Sequence, residues 1–320
     1  MSRLKRIALV TARPRPEVHF DYDMALLYKA VAGNGVDATV AAWDDPGVDW
    51  SNFDLVVIRS PWDYSWRAAE FLSWLDNCSL RTQVMNPPEV MHWNADKTYL
   101  RFFCAQSIPI VKTLFVAPGE DVELPADYEY VIKPSVGAGS RFCARYRAGE
   151  EGHAAEHVRR IHAEGAVAML QPYFHQIEAS GERALVFIDG DFMHAICKDA
   201  VLSPGLRFDE ERDAHPGTRP WTPTGQELAL ARRALAAVPF TGHLLYARVD
   251  MVGDPADPVL SELELVEPGL YLRTHPGSED RVARAIVSAA ATVTCRSRLS
   301  ARSPAPADRR LSPRSSADRG

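Results

Sequence analysis

Apolar positions along the chain switch repeatedly between a period of two and a period near 3.6. Arg6 to Ala12 is a compact apolar run that suits a first parallel strand, and Asp37 to Trp43 and Asp54 to Ile58 predict two more short strands. Met24, Leu27, Tyr28 and Val31 recur at helical spacing within Asp23 to Ala32, and Trp66 to Asp76 predicts a second helix. Gly33-Asn34-Gly35 ends the first helix. The order is βαββα, which predicts an α/β layer. Asn86-Pro87-Pro88 then predicts a boundary near residue 90.

Beyond that boundary Asn94 is read as the cap of a helix with Lys97 in its first turn and Leu100, Phe103 and Cys104 on its apolar side. Strands are predicted at Val111 to Val116, Tyr130 to Lys133, Arg141 to Tyr146 and Val167 to Gln171, with a helix at Glu151 to Ala163. Ala184 to Ile188 and Phe192 to Ile196 read as a hairpin about Asp189-Gly190-Asp191. Ser203 to Pro223 reads as a long surface loop, Thr224 to Val238 as a helix, and Leu244 to Val252 with Pro258 to Leu265 as two strands. Val282, Ala285, Ile286, Ala289 and Val293 mark a last amphipathic helix. From Cys295 onward the composition collapses into Arg, Ser, Pro and Ala, which predicts a disordered tail over 295–320.

Composition narrows the function classes. The 320 residues allow two or three domains, and no apolar run is long enough to span a bilayer. The basic N-terminus is followed by too short an apolar run for a signal peptide, so a cytoplasmic protein without membrane association is expected. The net charge of −6 hides a tail with seven arginines and two aspartates, leaving about −11 on the rest. So acidic a body argues against nucleic acid as a partner. Five scattered cysteines suggest neither disulfides nor a zinc knuckle. The turn after the first strand lacks G-x-G-x-x-G and no P-loop pattern occurs.

Several stretches carry candidate chemistry. Val131-Ile132-Lys133-Pro134-Ser135-Val136-Gly137-Ala138-Gly139-Ser140 delivers a lysine at a strand end beside small residues, which suits a polyphosphate and equally a solvated hairpin. Arg59-Ser60-Pro61-Trp62-Asp63-Tyr64 follows a buried strand, where ligands of α/β sheets gather. Arg59 suits a carboxylate, and Asp63 or Tyr64 an amino group; the alternative is an aromatic plug of Trp62, Tyr64 and Trp66 with solvated charges. Asp21 and Asp23 face the same edge, with helix capping expected of at least one. His153 and His157 lack the H-E-x-x-H pattern and read as a surface helix. Glu262 and Glu264 share one face of a strand next to Arg248-Val249-Asp250, either as an oxygen-only Mg²⁺ site or as a solvated acidic strand.

In this order the residues resemble the ATP-grasp superfamily over roughly residues 90 to 294. The resemblance implies an ATP-grasp fold of α/β and α+β parts: an N-terminal α/β domain over 1–90, a central subdomain with a phosphate-covering loop over 91–170, and a C-terminal subdomain with the metal site over 171–294. It implies ATP contacts from Lys97, Lys133 and Lys198, a covering loop at Gly137, Gly139 and Ser140, and an adenine hinge at Gln171, Pro172 and Phe174. Glu178 matches the ribose-binding acid. Arg183 and Arg248 match residues that stabilise the transferred phosphoryl group, and Asp250, Glu262 and Glu264 match the Mg²⁺ ligands. Gln171 stands where glutamate is commoner, and Glu264 where the family usually has Asn.

The activity implied is ATP-dependent activation of a carboxylate as an acyl phosphate, followed by attack of a nucleophile on it. The whole chain, including His-Phe-Asp-Tyr-Asp, Arg-Ser-Pro-Trp-Asp-Tyr and Glu-Leu-Glu-Leu-Val-Glu-Pro, resembles cyclo-ligases of the superfamily that close an antibiotic's isoxazolidinone ring within one amino-acid-like molecule. Arg59, Asp63, Tyr64 and Asp21 are then the candidate substrate residues. An ordinary carboxylate–amine ligase and a nucleotide-binding regulatory protein without turnover are the alternatives, and a homo-oligomer is left open.

Overall fold

The structure, a computed structural model, describes residues 4–15, 20–208 and 217–300, with side chains to residue 292. The N-terminal part runs β1 (Arg6–Thr11), α1 (Met24–Gly33), β2 (Asp37–Ala42), β3 (Leu55–Ser60), α2 (Ala68–Ser79) and β4 (Val84–Met85). These strands form a four-stranded sheet in the order β2-β1-β3-β4, all parallel. β1 and β3 are apolar throughout their centres because helices cover both faces. β4 lies just before Asn86-Pro87 and is too short to carry a period of its own.

The chain continues through α3 (Pro88–Asn94), a 3-10 turn at Lys97–Tyr99, α4 (Leu100–Ala105), β5 (Leu114–Val116), β6 (Tyr130–Pro134), β7 (Ala144–Tyr146), α5 (Glu151–Ala163) and β8 (Ala168–Pro172). Asp96, not Asn94, caps the turn, its carboxylate accepting the Thr98 N–H at 2.8 Å. Asn94 is instead buried, donating to Leu263 O and accepting from Leu265 N, and Cys104 is exposed rather than apolar-facing. β5, β8, β6 and β7 form an antiparallel sheet over α5. His157 is inside it, bonded to the Tyr146 hydroxyl and Phe142 O, so the surface position expected for it is corrected.

The last part holds α6 (Ile177–Ser180), β9 (Glu182–Ile188), β10 (Asp191–Lys198), β11 (Thr218–Trp221), α7 (Gly225–Ala237), β12 (Tyr246–Asp254), β13 (Asp257–Glu264) and α8 (Ser278–Ser300). The sheet order is β11-β10-β9-β12-β13, antiparallel throughout. β11 occupies part of the stretch expected to be loop; Pro220 on an edge strand obscures its pattern. α7 starts at a reciprocal capping box between Thr224 and Glu227. α8 runs past Thr294, where the tail was expected to begin, and residues 301–320 lie outside the described residues.

α8 does more than end the chain. Its Val282, Ala283, Ile286 and Ala290 share one core with Leu27 and Val31 of α1, Ile7 and Leu9 of β1, and Val186 and Ile188 of β9. Asn86 adds a polar seam, accepting from Leu245 N at 2.8 Å and donating to Tyr246 O and Leu265 O at 2.9 and 2.7 Å. First and last sheets are thereby fused. Among the described residues no helix is long and apolar enough to cross a membrane.

Candidate active site

A cleft of about 1030 Å³ opens where the three sheets meet. Lys133, the penultimate residue of β6, lines it with Gly137, Gly139 and Ser140 of the following loop. Gly139 and Ser140 both adopt left-handed φ, +62° and +59°, a conformation that glycine takes freely and few other residues do. Val136 and Ala138 anchor the loop against the core of the first sheet. Lys97 secures it from below: its Nζ donates to Gly137 O at 2.6 Å and lies 3.1 Å from Glu262 Oε1. Lys133 has no acidic partner within ion-pair distance among the described residues.

The opposite wall is a set of charges arranged by strand register. Asp250 faces Glu262 and Arg248 faces Glu264 across β12 and β13. Arg248 forks onto both oxygens of Asp250, Nε at 2.8 Å and Nη2 at 2.9 Å, and also grips Glu264. Lys198, at the end of β10, lies 2.6 Å from Asp250 and 3.2 Å from Glu182. Burial pushes the Asp250 carboxyl up, but Arg248 and Lys198 overcome it and hold it down at about 2. Glu264 goes the other way, pushed up to about 8 by burial and by its carboxylate neighbours despite Arg248.

Among the described residues no three His, Cys, Asp or Glu side chains form a ready metal cage. The donors nevertheless fit Mg²⁺ in its usual manner, one or two carboxylates completed by phosphate oxygens and water. Asp250, Glu262 and Glu264 supply only oxygen, from adjacent strands lining one cleft.

The hinge stretch lines another side of the cleft through Gln171, Pro172, Tyr173 and Phe174. Tyr173, between the two residues expected to meet adenine, gives its N–H to Glu129 O at 2.8 Å. Gln171 is held by Thr113, Nε2 to Oγ1 at 2.8 Å. Glu178 is paired with Arg145 at 2.7 Å, whose guanidinium lies 3.5 Å over the Tyr173 ring. That pair holds the Glu178 carboxyl below its usual range against slight burial, and Glu178 stands at the margin of the cleft instead of lining it.

Three expected residues are packed away from the cleft. Arg183 is 0% exposed and ion-paired with Glu227 at 2.8 Å. Side chains alternate along β9, so Glu182 takes the cleft side and Arg183 the α7 side. Arg59 is buried, both Nη atoms donating to Pro268 O at 3.3 Å. Asp63, 0% exposed, accepts from Trp43 Nε1 at 2.8 Å and from Arg67 at 3.3 Å. Burial pushes its carboxyl up, with Trp43 opposing.

Tyr64 and Asp21 do line the cleft. Neither Asp21 nor Asp23 caps α1 with its side chain. Asp21 accepts the Asp23 N–H, and Asp23 accepts Leu272 N and Arg273 N at 2.9 and 3.2 Å, tying α1 to the loop after β13. That loop contributes cleft residues that the sequence reading did not single out: Glu267, Tyr271 and Arg273. Tyr271 is left-handed at φ 52° and stands 5.4 Å beside the Arg248 guanidinium. The signal for Glu267 was its place, an acid directly before Pro-Gly at the end of an acidic strand.

A family profile described as "D-cycloserine synthetase DcsG, N-terminal domain" matches residues 7–86. The cycloserine biosynthesis protein DcsG of Streptomyces lavendulae is 36% identical over 301 residues, 88% of this chain and 97% of that protein. The chain belongs to the DcsG family. The crystal structure of D-cycloserine synthetase DcsG agrees with a TM-score of 0.80 at 34% identity, over 89% of this chain and 99% of that one. D-alanine–D-alanine ligase from Bacillus anthracis, complexed with ATP, gives 0.64 at 14% identity over 92% and 100%, which shows a common fold. As a DcsG-family member with the ATP-grasp fold, the chain is an ATP-dependent ligase.

Proposed function

We propose that this chain closes the isoxazolidinone ring of D-cycloserine from O-ureido-D-serine. The α-carboxylate accepts the γ-phosphoryl group of ATP, and the nitrogen on the alkoxy oxygen attacks the acyl phosphate within the same molecule. Phosphate leaves, and the carbamoyl group is lost with one water as carbon dioxide and ammonia. Intramolecular attack gains from proximity, so one folded pose of a small amino-acid substrate suffices.

One observation carries this reading: four cations, Lys97, Lys133, Lys198 and Arg248, meet Asp250, Glu262 and Glu264 in a single cleft. Mg²⁺ held by those carboxylates supplies neutralisation of phosphate charge. Lys133, with no acidic partner among the described residues, binds phosphate oxygens, and Lys97 keeps the small-residue loop down over them so that water is excluded. Arg248 lies where it can stabilise charge on the carboxylate being phosphorylated. Tyr173 and Gln171 brace the hinge that receives adenine. End-to-end likeness to a cycloserine biosynthesis protein, 97% of whose length is matched, supports the substrate.

The test is ADP release with Mg²⁺ and ATP on O-ureido-D-serine, its L isomer and serine, with products followed by mass spectrometry. D-selective release with ring product is expected. ADP release only with an added amine would assign the chain to carboxylate–amine ligation instead.

A further inference from the structure

The buried carboxylates of the cleft differ in what offsets their charge. Asp250, Glu262 and Glu264 each lie against Lys or Arg, and Asp23 accepts two backbone N–H groups. Glu267 is 7% exposed and lines the same cleft, yet it has no ion pair among the described residues. Tyr64, which lines the cleft beside it, favours its charged form. Lys97, whose charge reaches it, is committed to Glu262 and Gly137 O. A carboxylate removed from water without a cation is costly, and burial pushes Glu267 up to about 7.

The side chain is also held in place from behind. Trp62 Nε1 donates to Glu267 O at 3.2 Å, Arg59 to Pro268 O at 3.3 Å, and Arg248 Nη1 to Gly269 O at 3.2 Å. Three consecutive carbonyls are thus fixed by donors from two domains, which orients Glu267 before any ligand arrives. In an α-amino acid the ammonium stands one carbon from the carboxylate. Arg248, which serves the reacting end, grips the carbonyl two residues after Glu267, so the two functions sit side by side.

We propose that Glu267, oriented by the donors that hold its backbone, receives the α-ammonium group of the amino-acid substrate and is a specificity residue of this cleft. This rests on the cyclo-ligase reading. The substrate's charge then completes an ion pair that the protein leaves half made, and an otherwise identical molecule without the amine leaves Glu267 buried and alone.

The test compares O-ureido-D-serine with its deamino counterpart on the wild type, Glu267→Gln and Glu267→Asp by ADP release. The wild type is expected to prefer the amine by about a hundredfold in kcat/KM. Glu267→Gln brings the two substrates near parity, chiefly through KM, and Glu267→Asp keeps part of the preference. A Gln variant that weakens both substrates equally, preserving the preference, overturns the inference and leaves the cyclo-ligase reading standing. No ADP from the wild type with either substrate overturns both. If Glu267→Gln fails to fold by thermal melting, Tyr64→Phe gives the same readout: a preference reduced by about tenfold supports the anchor, and an unchanged one overturns it.

Discussion

Lys97 Nζ lies 3.1 Å from Glu262 Oε1, so a lysine from the turn before α4 and an acid of β13 meet beneath the phosphate-side loop. The same amine holds Gly137 O at 2.6 Å. Lys97→Met removes both ties, leaves Glu262 without its cation and releases the loop. ADP release is expected to fall by on the order of a hundredfold in kcat/KM for ATP. A value near wild type would separate Lys97 from the nucleotide site.

Lys133 presents the opposite case. It makes no ion pair among the described residues, so Lys133→Ala is expected to leave the melting temperature within about 1 °C, a surface-like change. Turnover should nevertheless drop on the order of a hundredfold, the effect of removing one donor to transition-state charge. Parallel loss of stability and rate would mean that the lysine holds the fold instead.

Arg183 and Glu227 are both fully buried, 2.8 Å apart. Arg183→Met leaves the buried Glu227 without its counter-charge, held only by Thr224 N and Trp221 Nε1, and should cost about 3–5 kcal/mol in urea unfolding. Adding Glu227→Gln should recover much of that. The folded fraction of either variant should keep its kcat, since Arg183 faces α7; a collapse of kcat in well-folded protein would return this arginine to the chemistry.

His194 stacks on His275 with ring centroids 4.1 Å apart, and its Nε2 donates to Leu270 O. Burial, and then the neighbouring His275, push it down to about 4 from the ordinary 6.5. The unfolded chain takes up this proton below pH 6.5 and the folded one only near 4, so stability falls as pH drops through that window. The loss reaches about 3 kcal/mol. Urea midpoints at pH 7 and 4.5 should therefore diverge more for the wild type than for His194→Gln.

Local signals account for the elements that were legible in the sequence: α5 spans the expected residues, and the hairpin of β9 and β10 turns at Asp189-Gly190. Lys97, Lys133, Lys198, Arg248, Asp250, Glu262 and Glu264, which line one cleft, were grouped by the family resemblance. Periodicity, turn residues and strand alternation are properties of neighbours in sequence. Arg59, Asp63 and Arg183 were not legible in the same way. A charged residue near a strand end reads identically whether it meets a ligand or a buried partner, and theirs are Pro268 O, Trp43 and Glu227. Glu227 was not singled out, and in the structure it is also the N3 acid of a capping box. Nothing short of the fold reveals that its other oxygen serves β9.

The core shared by α8, α1, β1 and β9, with Asn86 sewn into Leu245, Tyr246 and Leu265, has a mechanical consequence. The floor of the cleft, carrying Arg248, Asp250 and Glu267, is one casting. The sheet of β5 to β8 with its glycine loop faces that floor, and its Met169 packs in the core that holds Leu185, Val249 and Leu263. In the proposed reading the amino acid is thus met by the part that the first and last sheets build jointly, and adenine by the hinge at the end of β8.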